Sequence, residues 1–451
     1  MDLISLFRGA IGILLLVGIS FLLSNNKSRI NWKLVVGGLT LQLIFAILIL
    51  KGESLRQFFV PFGWPKDIFN WISYFFVVIL NFTAEGAQFV FGDLAKPPGA
   101  EGNLGSFFAF QVLPTIIFFA SLMSVLYYLG IMQLIVKGMA WIMARTLGTS
   151  GAETLSCAAE IFVGQTEAPL MIKPFLKDMT QSELLTIMIG GMATIAGGVM
   201  AAYIQILGSA YAVKHGIPLE QAQQIFATHL LGASVMAAPA GIVIAKIILP
   251  ETGEPATKGN LKLNVEKNAS NVIDAAANGA IDGWKLAINV GAMLIAFIAL
   301  IALVNYLLVG LGDILNINQS LKVQFGQPLS FQLLIGLVFQ FLAFGIGVPW
   351  EDALNFGSLL GVKIVLNEFV AYTEMGTLLE AGKLLNEKSI LMLTYALCGF
   401  ANFSSIAIQI GGTGQLAPSR KSDIAALGIK AVIGGTLATL MTATLAGLLF
   451  G

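Results

Sequence analysis

Polar side chains that could bind a small molecule lie inside one otherwise apolar stretch of the chain. The stretch covers residues 157–176 and carries two carboxylates, an amide and a hydroxyl: Glu160, Gln165, Thr166 and Glu167. Together these groups donate and accept hydrogen bonds, which suits a neutral, hydrogen-bond-rich solute better than a simple ion. The alternative is an interfacial loop whose polar residues only meet water. Apolar runs on both sides place the group at membrane depth, where polar residues usually mark substrate or ion sites.

The same stretch is interrupted in its middle by Gly164 and Pro169. Proline lacks the backbone donor and clashes with the preceding helical turn, and it pushes Ala168 towards extended dihedral angles. We therefore expect two half-helices that meet at a tip over residues 164–168. Inside a bilayer such a break is tolerated only where it is packed in protein or lines a wet cavity. The sequence thus predicts a re-entrant hairpin over about residues 152–176.

A second polar group lies in the later half of the chain. Asn367 and Glu368 fall inside the apolar run 356–372, with Lys363 one helical turn before Asn367. A structural pair between Lys363 and Glu368 is the alternative, but a separation of five residues fits helical periodicity poorly. We therefore interpret this intramembrane carboxylate as functional.

Asn402 and Ser405 lie in another interrupted segment, residues 389–414. Their spacing of three places them on one face if the segment is helical, although Asn and Ser also serve as ordinary contacts between membrane helices. Each half of the chain thus has an interrupted apolar segment, which in transporters indicates a binding site between inverted repeats. We predict a second re-entrant hairpin at about residues 389–414, although no residue-by-residue repeat is visible.

Glu160 raises the question of a coupled ion. It stands seven residues before Glu167, and Thr194 lies in the glycine-rich run 190–198. Unwound carbonyls at half-helix ends commonly hold cations, so Glu160 and Thr194 could belong to an oxygen-lined cation site. A buried carboxylate can instead stay neutral and carry a proton. The residues leave both possibilities open.

Residues 148–151 read Gly-Thr-Ser-Gly and match the G-x-S-G pattern of intramembrane serine proteases, with His229 as a conceivable base. Such a short pattern is weak in a chain with 49 glycines, and a turn is expected at this position. We expect that the protein is not an enzyme, and the protease with Ser150 as nucleophile is the alternative.

The composition shows that membrane helices must position these groups. Of 451 residues, 57% are hydrophobic and 11% are charged, against about 25% charged residues in soluble domains. Lys plus Arg equals Asp plus Glu at 25 each, so the charge balance gives no indication of a nucleic-acid partner. Two cysteines and two histidines cannot build a disulfide framework or a zinc site. We predict an all-α polytopic membrane protein.

Several apolar runs approach the ~20 residues that a spanning helix needs. Between the first two, the loop at residues 24–33 carries Lys27, Arg29 and Lys33 without an acid, which places it in the cytoplasm and the N-terminus outside. A polar loop at 250–271 divides the chain. The predicted organisation is N-terminal scaffold helices at 1–106, a first half at 107–250, a connector at 251–283 and a second half at 284–451.

Four motifs resemble the concentrative nucleoside transporter family, in the family's order from about residue 107 onward. They are Gly164-Gln-Thr-Glu-Ala-Pro169, residues 271–300, Asn367-Glu-Phe-Val-Ala-Tyr372 and Cys398-Gly-Phe-Ala-Asn-Phe-Ser-Ser405. The resemblance implies a homotrimer whose protomers each have about eight transmembrane helices, two re-entrant hairpins and interfacial helices. It further implies inverted repeats and an elevator-like movement of a substrate-holding domain against a trimeric scaffold.

The resemblance also implies roles for the residues at matching positions. It implies nucleobase contacts by Gln165, Thr166 and Glu167, with Val199 beside the base. It implies contacts with the ribose hydroxyls by Glu368, Asn402 and Ser405, with Phe400 packed near the ligand. It implies a sodium site formed by Glu160, Val163, Thr194 and Ile195. Many sodium-coupled members carry Asn where this chain has Glu160, so the expected driving ion is sodium or a proton.

From the sequence we expect a cation-coupled symporter that takes up nucleosides of the uridine, cytidine or adenosine class by secondary active transport. Its expected location is the bacterial inner membrane, which it crosses several times. Its expected partners are the nucleoside, the coupling cation, the lipid bilayer and two further copies of the chain, with no nucleic acid and no cofactor. A passive nucleoside channel is the remaining alternative.

Overall fold

The chain is helical throughout the part that the structure describes. The computed structural model describes residues 3–96, 102, 104–105, 107–258 and 269–450, and these ranges contain helices and one isolated bridge pair, Ser150 with Lys258, but no strand. Seven helical segments there are long and apolar enough to cross a membrane by length and composition. The protein is therefore all-α and multi-pass, and the expected number of about eight spans stays a prediction.

The helices follow one another with short connections. In chain order the α-helices are α1 Leu3–Leu22, α2 Trp32–Leu50, α3 Gly52–Arg56, α4 Trp64–Phe91, α5 Phe108–Gln111, α6 Leu113–Tyr128, α7 Ile131–Leu147, α8 Gly151–Ala159, α9 Gln181–Ala193, α10 Gly197–His215, α11 Leu219–Ile248, α12 Val272–Ile314, α13 Asn318–Phe325, α14 Phe331–Gly345, α15 Trp350–Val365, α16 Glu368–Glu380, α17 Glu387–Leu397, α18 Phe403–Gly411, α19 Thr413–Leu416 and α20 Lys421–Leu448. Among the 3₁₀-helices, the longest is Ala168–Asp178.

The first hairpin consists of α8 and the 3₁₀-helix Ala168–Asp178, where the sequence predicts one over 152–176. Its two ends lie together at the start of α9, because Ser150 Oγ donates a hydrogen bond of 2.5 Å to Glu183 Oε1. Ser150 and Thr180 each begin their helix with a capping box, which satisfies the first free N–H groups. The chain therefore enters and returns on one side.

The sequence predicts the second hairpin at about residues 389–414. This prediction is wrong, because the second hairpin consists of α15 and α16. Asp352 at the start of α15 accepts hydrogen bonds of 3.0 Å from the backbone N–H groups of Leu385 and Asn386, just beyond α16. Both ends of this pair therefore lie together, and its tip is at residues 366–367. In the sequence, residues 356–372 form one apolar run that carries Asn367 and Glu368, and no hairpin is predicted there.

Residues 389–414 instead cross the protein once, as the broken helix α17–α18. Successive positions on it pack against successive, antiparallel positions on α20: Met392 against Gly447, Ala401 against Gly435 and Ile406 against Gly428. The interruption covers residues 398–402, between Leu397 and Phe403. The predicted interruption is present, but the two half-helices continue in one direction and do not fold back.

A matching broken helix, α9–α10, follows the first hairpin. It is interrupted at residues 194–196 and runs antiparallel along α11, with Gly190 against Gly241 and Gly208 against Gln223. Each half of the chain thus contains a hairpin, a broken helix and a long unbroken helix in the same order. Glycine permits the close approach of these helices.

The two hairpins enter from opposite sides of this bundle. The base of the first hairpin lies at the end of α11, where Lys246 Nζ is 2.7 Å from Glu153 Oε2. The base of the second lies near the end of α10 and the start of α11, where Lys214 Nζ donates to Leu384 O. The 30 residues of α11 correspond to about 45 Å at 1.5 Å per residue. This is the arrangement expected of inverted repeats.

α6 and α12 form a separate pair at the edge of the bundle. The buried face of α12 is a stripe of small residues at intervals of four: Ala275, Gly279, Gly283 and Ala287. A Cβ added at Gly279 would lie 2.6 Å from Ala120 O on α6, so only glycine permits this contact. The opposite face of α12 exposes large apolar side chains such as Ile295 and Tyr306, which suits lipid or another subunit.

Candidate binding site

The four helix interruptions meet around one cavity. Its volume is ≈ 180 Å³, and its walls come from both hairpin tips, both broken helices and α12. All eight residues expected to contact a nucleoside line it: Gln165, Thr166, Glu167, Val199, Glu368, Phe400, Asn402 and Ser405. Residues that are up to 240 positions apart in sequence therefore face one cavity.

Glu368 occupies the tip of the second hairpin and is almost completely buried. Its Oε1 accepts a hydrogen bond of 2.9 Å from Tyr203 Oη, and its Oε2 accepts one of 2.9 Å from Asn402 Nδ2. As the first residue of α16 it also lies at the positive end of a helix. The sequence predicted the carboxylate and Asn402 but not Tyr203, a residue of α10 that packs against Tyr372 and Phe369.

The alternative of a Lys363–Glu368 ion pair is not what the structure shows. No ion pair within 4.0 Å joins these two side chains, which both belong to the described residues. Lys363 Nζ instead donates to Ala396 O and Thr439 Oγ1. The carboxylate of Glu368 therefore faces the cavity side, with Tyr203 and Asn402 as its partners.

Gln165 connects the tip of the first hairpin to α18. Its Nε2 donates to Ser405 Oγ at 3.0 Å, and its Oε1 accepts from Gln409 Nε2 at 3.0 Å. Gln409 in turn donates to Met188 O on α9. The sequence missed Gln409, although its position four residues after Ser405 places both on one helix face.

Glu167 and Thr166 have the most open side chains of this tip. Glu167 Oε2 accepts a hydrogen bond of 3.3 Å from the N–H of Gly164, and both side chains are exposed to the cavity side. They are therefore available to a ligand without breaking a buried contact. This differs from Glu368, whose two oxygens already have protein donors.

The wall opposite the polar groups is apolar. α12 contributes Leu286, Val290, Met293 and Leu294, and the broken helices add Val199 and Phe400. The sequence did not single out these four residues, because α12 contains many similar apolar side chains. A cavity with one polar and one apolar side fits a flat molecule that has a hydrogen-bonding edge and an apolar face.

The four residues expected to hold a cation lie together beside the cavity, at the first hairpin tip and the break in α9–α10. Glu160 is fully buried; its Oε1 accepts from Ser156 Oγ at 3.2 Å, and its Oε2 has no hydrogen-bond partner among the described residues. Thr194 Oγ1 donates to Gly190 O, and Glu160 packs against the Cβ side of Gly190. The N–H of Gly197 donates to Phe162 O, which holds the break beside the hairpin next to Val163 and Ile195. An unpartnered carboxylate oxygen among unwound backbone fits a small cation or a proton.

The residues of the protease alternative are not brought together. Ser150 Oγ donates to Glu183 at the base of the first hairpin, whereas His229 contacts Tyr395 Oη in the middle of the bundle. His229 precedes Lys246, which lies at that base, by 17 residues on α11, a separation of about 25 Å along the helix. Ser150 serves as the N-cap of α8.

Comparison with known families covers nearly the whole chain. Residues 11–94 match the family model described as Na⁺ dependent nucleoside transporter N-terminus, and residues 229–447 match the corresponding C-terminus model. Residues 109–210 match a model described as nucleoside recognition.

Individual relatives agree with this result. An uncharacterized transporter of Haemophilus influenzae is 46% identical over 99% of this chain and 98% of its own. The nucleoside permease NupC of Helicobacter pylori is 40% identical over 99% of this chain and 98% of its own. Sodium/nucleoside cotransporter 1 of Rattus norvegicus is 40% identical over 97% of this chain and 63% of its own.

The fold of this chain also matches solved structures of nucleoside transporters. The structure of CNTnw in an inward-facing substrate-bound state is 41% identical, with a TM-score of 0.83 over 99% of both chains. A variant of CNTnw in an outward-facing state gives a TM-score of 0.85 at 41% identity over 99% of this chain and 98% of its own. The chain therefore belongs to the concentrative nucleoside transporter family, whose members are transporters and not enzymes.

Proposed function

We propose that this protein is a cation-coupled nucleoside symporter that binds its substrate in the cavity between the two hairpin tips. The single observation that carries the proposal is the convergence of four helix interruptions on one cavity with eight predicted ligand-binding residues. Interrupted helices cost backbone hydrogen bonds in a membrane, and transporters use them where a polar ligand must be held at mid-depth.

The two sides of the cavity suit the two chemical characters of a nucleoside. Gln165, Thr166 and Glu167 would bind the edge of the base. Glu368, Asn402 and Ser405 would bind the ribose hydroxyls, for which carboxylate and amide oxygens are good acceptors. Val199, Phe400 and the α12 wall would cover the base and the sugar ring. Family membership supports nucleosides as the substrate class. The uptake experiment below determines whether the protein prefers uridine or adenosine.

The cation would bind at Glu160, Val163, Thr194 and Ile195, beside the first hairpin tip. Its positive charge would compensate the Glu160 carboxylate and the carbonyls at the end of α9. Sodium is the ion named for the family, and a proton on Glu160 would neutralise the same carboxylate. In both cases the loaded site has fewer uncompensated polar groups than the empty one.

Transport would follow from this compensation. At the cavity, α12 presents apolar side chains to the bundle that contains the hairpins. The bundle could therefore move along this part of α12 without exchanging hydrogen bonds with those side chains. Only a bundle loaded with both cation and nucleoside hides its polar groups well enough to cross. We propose an elevator-type movement on this basis, with the exposed face of α12 as the contact between three copies.

The orientation follows from the basic loop at residues 24–33. The N–H of Asn25 donates to Ile248 O, so this loop lies at the same end as the base of the first hairpin. The excess of Lys and Arg in this loop supports a cytoplasmic location for that end, with the protein in a bacterial inner membrane. The first hairpin would then enter from the cytoplasm and the second from outside.

Uptake of radiolabelled uridine and adenosine into proteoliposomes tests the proposal, with sodium and pH gradients imposed separately. We expect accumulation above the external concentration under one of the two gradients, which identifies the coupling ion. Uptake that only equilibrates under both gradients would identify a passive channel and contradict symport.

A further inference from the structure

Lys363 is a charged side chain that the proposed binding site does not use. It lies near the end of α15 in the second hairpin and is 0% exposed. A buried, charged lysine is costly unless its ammonium is compensated. The groups that accept hydrogen bonds from the Lys363 ammonium therefore indicate the role of this side chain.

The ammonium is held by the broken helix and by α20. Lys363 Nζ donates a hydrogen bond of 2.8 Å to Ala396 O and one of 3.1 Å to Thr439 Oγ1. Ala396 is the second-last residue of α17, so its carbonyl has lost the N–H that an uninterrupted helix would supply. The end of a helix also has negative partial charge, which a cation stabilises.

The first half of the chain has a comparable position with the opposite charge. There Glu160 follows the last residue of α8 and packs against Gly190 in the last turn of α9. In both halves a titratable side chain from the first arm of a hairpin thus faces the last turn before the break in the neighbouring helix. In one half it is an acid with an unpartnered oxygen, and in the other it is an ammonium with its acceptors in place.

We infer that Lys363 is a tethered cation that takes the place of a bound ion in the second half. Its ammonium joins α15, the end of α17 and α20, and so holds the second hairpin on the broken helix whether or not an external ion is present. Lys363 is thus a positioning residue, because it fixes Glu368 and Asn402 without contacting the cavity. The part of the inference that concerns nucleoside affinity rests on the proposed function.

Chemical rescue tests this role. In Lys363→Ala, n-propylammonium supplies the three carbons and the nitrogen that the substitution removes. We expect the thermal unfolding temperature of the purified variant, measured without nucleoside, to fall and to rise again with n-propylammonium but not with 1-propanol. Wild type and the exposed-lysine control Lys322→Met should not respond to either compound. Equal rescue by 1-propanol, or no response of Lys363→Ala to the ammonium, would overturn the inference.

Two further variants keep the test decisive if Lys363→Ala does not fold. Lys363→Arg keeps the charge and Lys363→Met keeps the length without it. We expect Lys363→Met to lower uridine affinity by about tenfold, which corresponds to about 1.4 kcal/mol. Lys363→Arg should lower uridine affinity much less. Equal behaviour of the two variants would contradict a role for the charge. If wild type binds no nucleoside while the thermal rescue succeeds, the proposed function fails and the tethered cation stands.

Discussion

At the scale of single residues, the site depends on carboxylates whose partners come from distant parts of the chain. Glu368 receives hydrogen bonds from Tyr203 and Asn402, residues that no local pattern connects. The sequence and the family resemblance predicted Glu368 and Asn402 because polar residues in apolar runs are conspicuous. Tyr203 could not be predicted in this way, since tyrosine in a membrane helix is common and its hydroxyl partner depends on the tertiary fold.

Substitution of Tyr203 by Phe tests its contribution. The change leaves a buried Glu368 oxygen without its donor, and a net hydrogen bond contributes about 1 kcal/mol. We expect uridine affinity to fall by about fivefold, because 1.4 kcal/mol corresponds to a factor of ten. The matched control is Tyr372→Phe, whose hydroxyl donates to Thr394 O outside the cavity. That control should lower thermal stability and leave affinity unchanged; the reverse pattern would remove Tyr203 from the site.

Gly190 tests the position of the cation. A Cβ added there would lie 2.2 Å from Glu160 Oε2 and 2.8 Å from Cys157 Sγ, so Gly190→Ala must displace the carboxylate. Overpacking of this kind costs about 1–3 kcal/mol, and we expect the cation concentration for half-maximal uptake to rise about tenfold. Gly138→Ala is the control, because nothing lies within 4 Å of its added Cβ. Unchanged cation dependence of Gly190→Ala would place the ion elsewhere.

At the scale of elements, the break marked by Gly and Pro was predictable, whereas the break at residues 366–367, marked only by a helix cap, was not. Gly164 and Pro169 identified the first hairpin. The break at residues 366–367 has no such signal, and its marker is Asn367, whose side chain accepts a hydrogen bond from the N–H of Val370 and so starts a new helix. Asn402 does the same for α18. The interruption near Asn402 was predicted, and the same asparagine signal at Asn367 would have shown the break at residues 366–367.

Whether an interrupted segment folds back or continues was also beyond the sequence. The segments α15–α16 and α17–α18 are both apolar and broken by an asparagine cap, yet only the first is a hairpin. The difference lies in their partners: Asp352 joins the two ends of α15–α16, while α17–α18 follows α20 along its length. Such long-range contacts are set by packing and not by local propensity.

The opposite entry of the hairpins gives a prediction about accessibility. Both native cysteines are buried, so a single cysteine introduced at an exposed position reports its own side of the membrane. We expect an impermeant maleimide to label Lys383→Cys, beside the second hairpin base, from outside the cell, and Lys177→Cys, beside the first, only from the cytoplasm. Labelling of both from the same side would contradict the inverted arrangement.

At the scale of the whole molecule, the protein consists of a buried bundle that carries the hairpins and an outer helix pair, α6 and α12. The bundle of α9, α11 and α20 is largely buried and holds both hairpins, whereas α12 has a narrow buried stripe and a broad apolar surface. Composition predicted a membrane protein and paired interruptions predicted repeats. The division into a hairpin-bearing bundle and an outer α6–α12 pair depends on the small-residue stripe of α12, which is hidden among similar residues.

The most direct test of the account is uridine accumulation in proteoliposomes under an imposed cation gradient, with wild type, Glu167→Gln and Glu368→Gln compared at equal reconstitution. We predict that wild type accumulates uridine above the external concentration and that neither variant does, because each loses a carboxylate acceptor at a hairpin tip. Full accumulation by both variants would show that the nucleoside does not bind between the two tips.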